Sequence, residues 1–131
     1  MAIPSDNVVT TNLGRQKYAQ AQAGDIILTA ITQMAFGNGG HNTTSGEATT
    51  PDPSNTTLVN QLLIKNIDSY IFSDDYTVEF KCIIDSDEMN GQDFSEIGLF
   101  DADGDLVAIK HTSPQTKTSE TKFEIFFSQT F

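Results

Sequence analysis

Apolar and polar side chains alternate along the second half of the chain, and this alternation is its clearest structural pattern. Between residues 76 and 85 the apolar side chains Tyr76, Val78, Phe80, Cys82 and Ile84 share one face. A period of two predicts a β-strand with one buried face. The same pattern between turn residues predicts further strands at 94–100, 106–109 and 122–128, with Pro114 ending the strand that starts at 106.

Residues 12–23 predict a helix near the start of the chain. Three alanines in this segment raise its helix propensity, and Thr10, Thr11 or Asn12 can cap the free N–H groups of the first turn. Gly24 follows at the position where a left-handed residue commonly ends a helix. The apolar stripe is weak, so we expect a short helix on the surface.

Three further segments complete the first half of the chain. Residues 26–36 are apolar and β-branched, which predicts a strand buried along most of its length. Residues 37–56 are almost wholly Gly, Asn, Thr, Ser and Pro, which predicts an exposed loop, mobile unless a partner orders it. Residues 58–65, capped by Thr56 or Thr57, predict a second helix because apolar side chains recur at helical spacing. These side chains are Leu58, Val59, Leu62 and Leu63.

Together these elements predict a fold of the α+β class that is mainly β. We expect a single domain over residues 1–131, with a helical segment at about 10–24 and a long polar loop at 37–56. Its architecture is an antiparallel β-sandwich or half-barrel meander with one or two short N-terminal helices. Ile83 and Phe126 lie on the otherwise polar faces of their strands and indicate a second covered surface, which we interpret as a subunit contact.

The charge balance narrows the range of partners. Eighteen acidic residues against seven basic ones give a formal net charge of −11. A surface this acidic argues against nucleic acid and against an anionic membrane, and it favours a basic or cation-bridged protein partner. The sequence also shows no signal peptide and no apolar run long enough to span a membrane, so we expect synthesis in the cytoplasm of the producing cell.

Few residues of the sequence are candidates for binding a metal or catalysing a reaction. The acidic turn at 101–105 has carboxylates at alternating positions, which allows either a calcium loop or a plain hairpin turn in which Gly104 supplies a positive φ. His41 and His111 have no metal-ligand spacing to a cysteine or carboxylate, and we interpret both as solvated surface residues. We find no catalytic constellation, and we predict neither an enzyme nor a cofactor. Cys82, the only cysteine, is expected to be a small buried apolar residue.

Several segments together resemble the phage tail-collar fibre proteins. The most specific is residues 95–109, SEIGLFDADGDLVAI, which is similar to that family's E-I-G-L-F-D-A-D-G signature. Residues 31–39, ITQMAFGNG, and residues 57–62, TLVNQL, are similar to two further family motifs. NLGR at the predicted helix start and Ser113-Pro114 followed by Lys117 complete the resemblance, which covers nearly the whole chain in order.

The resemblance implies a structural protein of a bacteriophage or phage-like contractile tail. We expect it in the virion tail, as a connector between baseplate and tail fibre or as a collar subunit, with other tail, baseplate and fibre proteins as partners. Family members usually begin a longer fibre, and a chain that stops at Phe131 favours the connector. The resemblance also implies a homo-oligomer, most naturally a trimer.

Other functions remain open from the residues alone. The loop at 37–56 allows a module that binds a receptor or glycan, and an assembly chaperone for a longer fibre is a further alternative. A small cell-wall hydrolase is the enzymatic alternative, although with so many acids a carboxylate pair has little diagnostic value.

The residues that contact neighbouring subunits are predicted from apolar positions on the exposed faces of the elements and from the family signature. Glu96, next to apolar residues, needs a basic partner or backbone N–H groups, and Lys110 and Lys117 are candidates. Leu99 and Phe100 are adjacent, so one is expected in the core and the other in a neighbour's pocket. The predicted assembly residues are Leu13, Tyr18, Leu58, Val59, Leu62, Ile83, Glu96, Gly98, Leu99, Phe100 and Phe126.

Overall fold

The computed structural model describes residues 7–131 as one helix and eight strands. In chain order these are β1 (Val8–Thr10), α1 (Asn12–Gln22), β2 (Ile31–Gly37), β3 (Gln61–Asn66), β4 (Ser69–Asp74), β5 (Thr77–Ile84), β6 (Asp93–Asp101), β7 (Leu106–Thr116) and β8 (Phe123–Thr130). The strands form a five-stranded sheet in the order β1-β7-β6-β2-β3 and a three-stranded sheet in the order β4-β5-β8, and all neighbours are antiparallel. The prediction of a mainly β, antiparallel α+β fold is confirmed, in its sandwich form.

The main core lies between the two sheets. Met34, Phe36 and Leu99 of the five-stranded sheet share one buried cluster with Phe80 and Phe127 of the other sheet. Side chains that alternate along each strand meet there because every second residue of a strand points to the same face.

The alternation predicted for residues 76–85 is confirmed within β5, where Phe80, Cys82 and Ile84 are buried. It fails at Tyr76, which precedes the strand and is 71% exposed. The strand pairs with β8 over its whole length, from Thr77 opposite Thr130 to Ile84 opposite Phe123. Burial raises the pKa of Cys82 to about 11, so the thiol stays protonated at neutral pH. It is therefore an inert apolar side chain in the core, as expected.

A second, smaller cluster covers the outer face of the five-stranded sheet. It joins Ala35, Leu58, Phe100, Leu106 and Ile109. Leu58 reaches this face from the long connection between β2 and β3, so the connection is part of the packed structure. Both faces of the five-stranded sheet are consequently covered within one chain.

The prediction of a helix at 58–65 is wrong. Residues 61–66 form strand β3, which pairs antiparallel with β2 so that Phe36 lies opposite Leu63 and Met34 opposite Lys65. Short apolar runs suit a helix and a strand equally, and the free edge of β2 decides between them by offering backbone hydrogen bonds. Thr56 and Thr57 therefore cap no helix.

Other strands also differ from the predictions. The strand predicted at 26–36 starts only at Ile31, and Ile27 is exposed. β7 continues past Pro114 to Thr116, because only β6 borders it there and the pairing is irregular between Phe94 and Glu96. Strands β1 and β4 were not predicted, since the first is very short and the second is exposed along its whole length.

Candidate functional site

A buried carboxylate fixes the long connection between β2 and β3 to the sheet. Glu96 of β6 is fully buried, and its two carboxylate oxygens accept hydrogen bonds from three backbone N–H groups. The donors are Gly39 at 2.9 Å, Val59 at 2.8 Å and Asn60 at 2.8 Å. A carboxylate that accepts several N–H bonds offsets its loss of hydration. Both ends of the connection are therefore attached to one side chain.

Of the partners expected for Glu96, the backbone groups are the ones used. Neither Lys110 nor Lys117 bonds to Glu96 in the described part of the chain. Lys117 is fully buried and donates instead to Asn90 Oδ1 at 3.1 Å and to the Thr118 carbonyl at 2.7 Å. Of the two alternatives predicted for Glu96, the backbone N–H groups are therefore confirmed and the candidate lysines are not used.

The glycines of the loop are needed for this close approach. A Cβ atom at Gly37 would overlap the Glu96 carboxylate and the Asn60 carbonyl, and one at Gly39 would overlap the Val59 side chain. Glycine lets the backbone come near because it has no Cβ. The glycines of the G-N-G sequence at 37–39 thus leave room for the Glu96 carboxylate, and Gly39 donates to it.

Ser95 and His41 form a second attachment. The Ser95 hydroxyl oxygen accepts from the Gly40 N–H at 2.9 Å and lies 2.7 Å from His41 Nδ1. Ser95 is fully buried, so these polar contacts hold the loop against β6. The prediction of an exposed loop at 37–56 is confirmed for most side chains at 42–50, whereas the contacts within the chain that hold the loop against β6 were not predicted.

His111 provides the third attachment, and the expectation that it is solvated is wrong. It is buried, and its Nδ1 lies 3.0 Å from the Thr49 carbonyl oxygen, to which it donates. Burial lowers the pKa of His111 below its ordinary value, against the opposing effects of the Thr49 carbonyl and the Glu96 charge. The folded protein therefore favours the neutral form of the His111 imidazole.

The acidic hairpin between β6 and β7 surrounds a lysine. Lys17 of α1 places its Nζ at 2.5 Å from Asp101, 2.9 Å from Asp103 and 2.9 Å from Asp105. Asp101 Oδ1 also accepts from the backbone N–H groups of Asp103 and Asp105. Gly104 has the positive φ, 85°, that the turn requires.

This arrangement places a cation of the chain itself among the carboxylates of the hairpin. Burial alone would lower the pKa of Lys17, but hydrogen bonds to three carboxylates outweigh it and raise that pKa above its ordinary value. Burial alone would raise the pKa of Asp101, and the bond from Lys17 lowers it instead. The ammonium group occupies the point where the carboxylates converge, so the turn is a docking point for the helix.

Lys17 was missed by the sequence reasoning, because a lysine in a helix gives no sign of its own burial. One signal was available: Gly14 and Lys17 are three residues apart and share a helix face. A Cβ atom at Gly14 would overlap the Val107 carbonyl, so this face lies directly on β7. Thr11 caps the helix by accepting from the Gly14 N–H at 3.0 Å, as one of the predicted caps.

The predicted assembly residues separate into three groups. The first is buried within the chain: Leu58, Glu96, Gly98, Leu99 and Phe100. The second is half-buried: Leu13, Leu62 and Ile83. The third is exposed: Tyr18, Val59 and Phe126.

The first group contributes to the interior of one chain and not to its surface. Leu99 fills the main core and Phe100 fills the outer cluster, so the expectation that one of them occupies a neighbour's pocket is wrong. Their opposite orientation was predicted correctly, but the chain's own loop and Leu58 cover the second side.

The three-stranded sheet leaves an apolar edge exposed. Tyr70, Ile71 and Phe72 of β4 are each more than half exposed. Between β4 and the α1–β2 connection lies a groove of about 300 Å³, which we call the β4 groove. It is lined mainly by Tyr18, Leu28, Tyr70, Phe72, Phe80 and Phe131.

These features define a small β-sandwich module with one sheet sealed on both faces and the other open at an apolar edge. The chain belongs to the phage tail-collar fibre protein family: the model of that family's N-terminal region matches residues 6–129. No protein of curated function matches it. Family membership makes the protein a structural component of a phage tail, located in the virion and in contact with other tail proteins. No helix in the described residues is both long and apolar enough to cross a bilayer.

Proposed function

We propose that the chain connects the baseplate to the tail fibre, or forms a collar subunit there, and that it works by static contacts without catalysis. The observation that supports this role is the exposed apolar surface of the three-stranded sheet, made chiefly of Tyr70, Ile71, Phe72 and Tyr76. Large apolar side chains that lie together on a surface commonly mark a protein contact. In a tail protein the natural occupant is another tail subunit.

Covering this apolar surface with a partner lowers the free energy of the protein. Fully burying one large apolar side chain contributes roughly 1.5–3 kcal/mol. Tyr70 and Phe72, side by side on one face of β4, provide a favourable contact without any charge pairing. The rigid loop attachments at Glu96 and Ser95 keep the opposite side of the sandwich in one shape, which suits a connector.

We further propose a homo-oligomer, with a trimer as the first expectation. Among the predicted assembly residues, Tyr18, Val59 and Phe126 are the exposed ones that can contribute directly. Multi-angle light scattering of the purified chain tests this proposal. A monomer at concentrations up to those in assembling cells would contradict it.

The connector role is tested in particles from which the gene has been deleted. We expect tails with complete sheath and baseplate but without attached fibres, and we expect the protein itself in mass spectra of purified wild-type particles. Particles that keep their fibres would contradict the role. Absence of the protein from particles that need it for fibre attachment would instead favour the assembly chaperone.

A receptor- or glycan-binding module is the second candidate, and one observation favours it. The loop is attached at Gly39, Gly40 and Thr49, while side chains at 42–45 are exposed between these attachments. A rigidly held loop with polar exposed side chains is a common binding device. Binding of the isolated protein to host cells, lost on replacing residues 42–45 by glycine and serine, would support it.

A further inference from the structure

β4 is the least protected edge strand among those that the structure describes. The two sheets have four edges, formed by β1 and β3 in one and by β4 and β8 in the other. β1 has three residues, β3 contains Lys65 and β8 contains Glu124. Edge strands are usually protected against pairing with another strand because they are short or carry a charged side chain within the strand. β4 instead has three consecutive large apolar residues, 70–72, and a single charge at its end.

Both sides of β4 are open to a partner. β4 pairs only with β5, so its outer backbone edge has no strand neighbour in the described chain. Tyr70 and Phe72 point into the β4 groove, and their rings meet edge to face with centroids 6.2 Å apart. Ile71, between them, points to the opposite face because successive side chains of a strand alternate. An added strand would thus gain backbone bonds and apolar contacts on both faces.

The charges around β4 select the kind of partner. Asp68 precedes the strand, and Asp74 and Asp75 end it. The Asp68 carboxylate accepts a hydrogen bond from the Ile83 N–H at 2.7 Å, and that of Asp74 accepts one from the Tyr76 N–H at 2.8 Å. These neutral donors leave the charges in place, and the nearby lysines pair with other acids: Lys65 of β3 is 2.6 Å from Glu88, and Lys81 of β5 is 2.7 Å from Glu124. The edge is therefore apolar in the middle and acidic at both ends.

A second copy of this chain is a poor occupant. Antiparallel pairing of β4 with itself, centred between Ile71 and Phe72, would set Asp68 of one copy opposite Asp75 of the other. Like charges placed directly across a strand pair are destabilising.

We propose that β4 binds, by strand addition, an extended segment of a different tail protein with apolar side chains at alternate positions and Lys or Arg at both ends. The alternate side chains occupy the β4 groove beside Tyr70 and Phe72, and the basic ends face Asp68 and Asp75. This inference rests on the proposed connector role, because a connector must hold a non-identical neighbour.

The chemistry is tested with a synthetic peptide that has valine at alternate positions and lysine at each end. Its control has the same centre with glutamate at each end. We expect the lysine peptide to bind about tenfold more tightly at low salt and to shift the backbone amide resonances of β4. Equal affinities, or shifts confined to other strands, would overturn the proposal.

Two pairs of variants separate the apolar and charged parts of the site. Phe72→Ser should weaken binding of the lysine peptide at least fivefold, whereas Ile64→Ser, at an exposed apolar residue on β3 of the other sheet, should not. Asp75→Asn should weaken it about threefold, whereas Glu120→Gln, at an exposed acid remote from β4, should not. Both residues to be changed in β4 and its turn are exposed, so the fold should tolerate them.

A photo-crosslinking residue in place of Ile71 tests the occupant inside assembled particles. We expect a crosslink to a different tail protein, at a segment with basic residues on both sides. A crosslink to a second copy, or to residues 1–6 of the same chain, would overturn the proposal. Absence of the protein from particles would instead refute the connector role while leaving the peptide result intact, so the two failures can be told apart.

Discussion

Lys17 and Asp101 are 84 positions apart in the sequence, yet their Nζ and Oδ2 atoms lie 2.5 Å apart and both side chains are buried. This contact joins the only helix among the described residues to the hairpin of the family signature. Gly14 against Val107 and the Tyr18–Phe131 ring contact also position the helix, and the charge pair adds a buried polar contact to them.

Replacing Lys17 by Met should therefore destabilise the fold strongly. The change leaves the Asp101 carboxylate buried without its cation, and breaking a buried pair in this way costs about 3 kcal/mol or more. Urea unfolding measures the loss, with the exposed Lys122→Met as the control. A difference between the two variants below about 1 kcal/mol would show that the hairpin holds its shape without the lysine.

Glu96→Gln should loosen the connection between β2 and β3. A glutamine amide has one acceptor oxygen, so at least one of the three N–H groups at Gly39, Val59 and Asn60 loses its partner. We expect a loss of about 2 kcal/mol and faster amide hydrogen exchange at those three residues. Glu47→Gln, on an exposed part of the same connection, is the matched control. Unchanged exchange would contradict the role assigned to Glu96.

His111 should make stability depend on pH below neutrality. Its folded-state pKa lies below the ordinary value of 6.5, so the unfolded chain binds more protons between these two values. Stability is therefore complete above pH about 6.5 and falls as pH decreases toward the folded pKa. Thermal unfolding of the wild type and of His111→Gln between pH 7.5 and pH 5 measures this, and the variant should lose less stability over that interval. Parallel curves would argue against the buried neutral imidazole.

Phe126→Asp should disrupt oligomers while leaving the monomer folded. The side chain is 45% exposed in the single chain, so its replacement costs little internal packing, whereas a carboxylate in a subunit contact is costly. Light scattering should report a smaller species with an unchanged circular dichroism spectrum. Thr43→Asp, on the exposed loop of the opposite sheet, should assemble normally. If the Phe126 variant keeps the wild-type mass, β8 is not part of the interface.

Local pattern was sufficient for some of this structure. The alternation in β5, the turn at Gly104 and the helix after Thr11 depend on residues close together in sequence, and each was predicted from them. The cluster at 58–65 was misjudged for the same reason: its local pattern permits two structures, and only the free edge of β2 selects the strand.

The sequence by itself therefore determined the strand-rich architecture, the family and the acidic surface, because these follow from neighbouring residues and composition. Tertiary structure alone decided that Glu96 receives N–H groups from both ends of a loop and that Lys17 occupies the acidic hairpin. It also decided that Leu99 and Phe100 are both covered within one chain, while β4 remains open. These outcomes depend on which distant segments meet in space, and the energy of a buried charge is set by the partner found there, not by its neighbours along the chain.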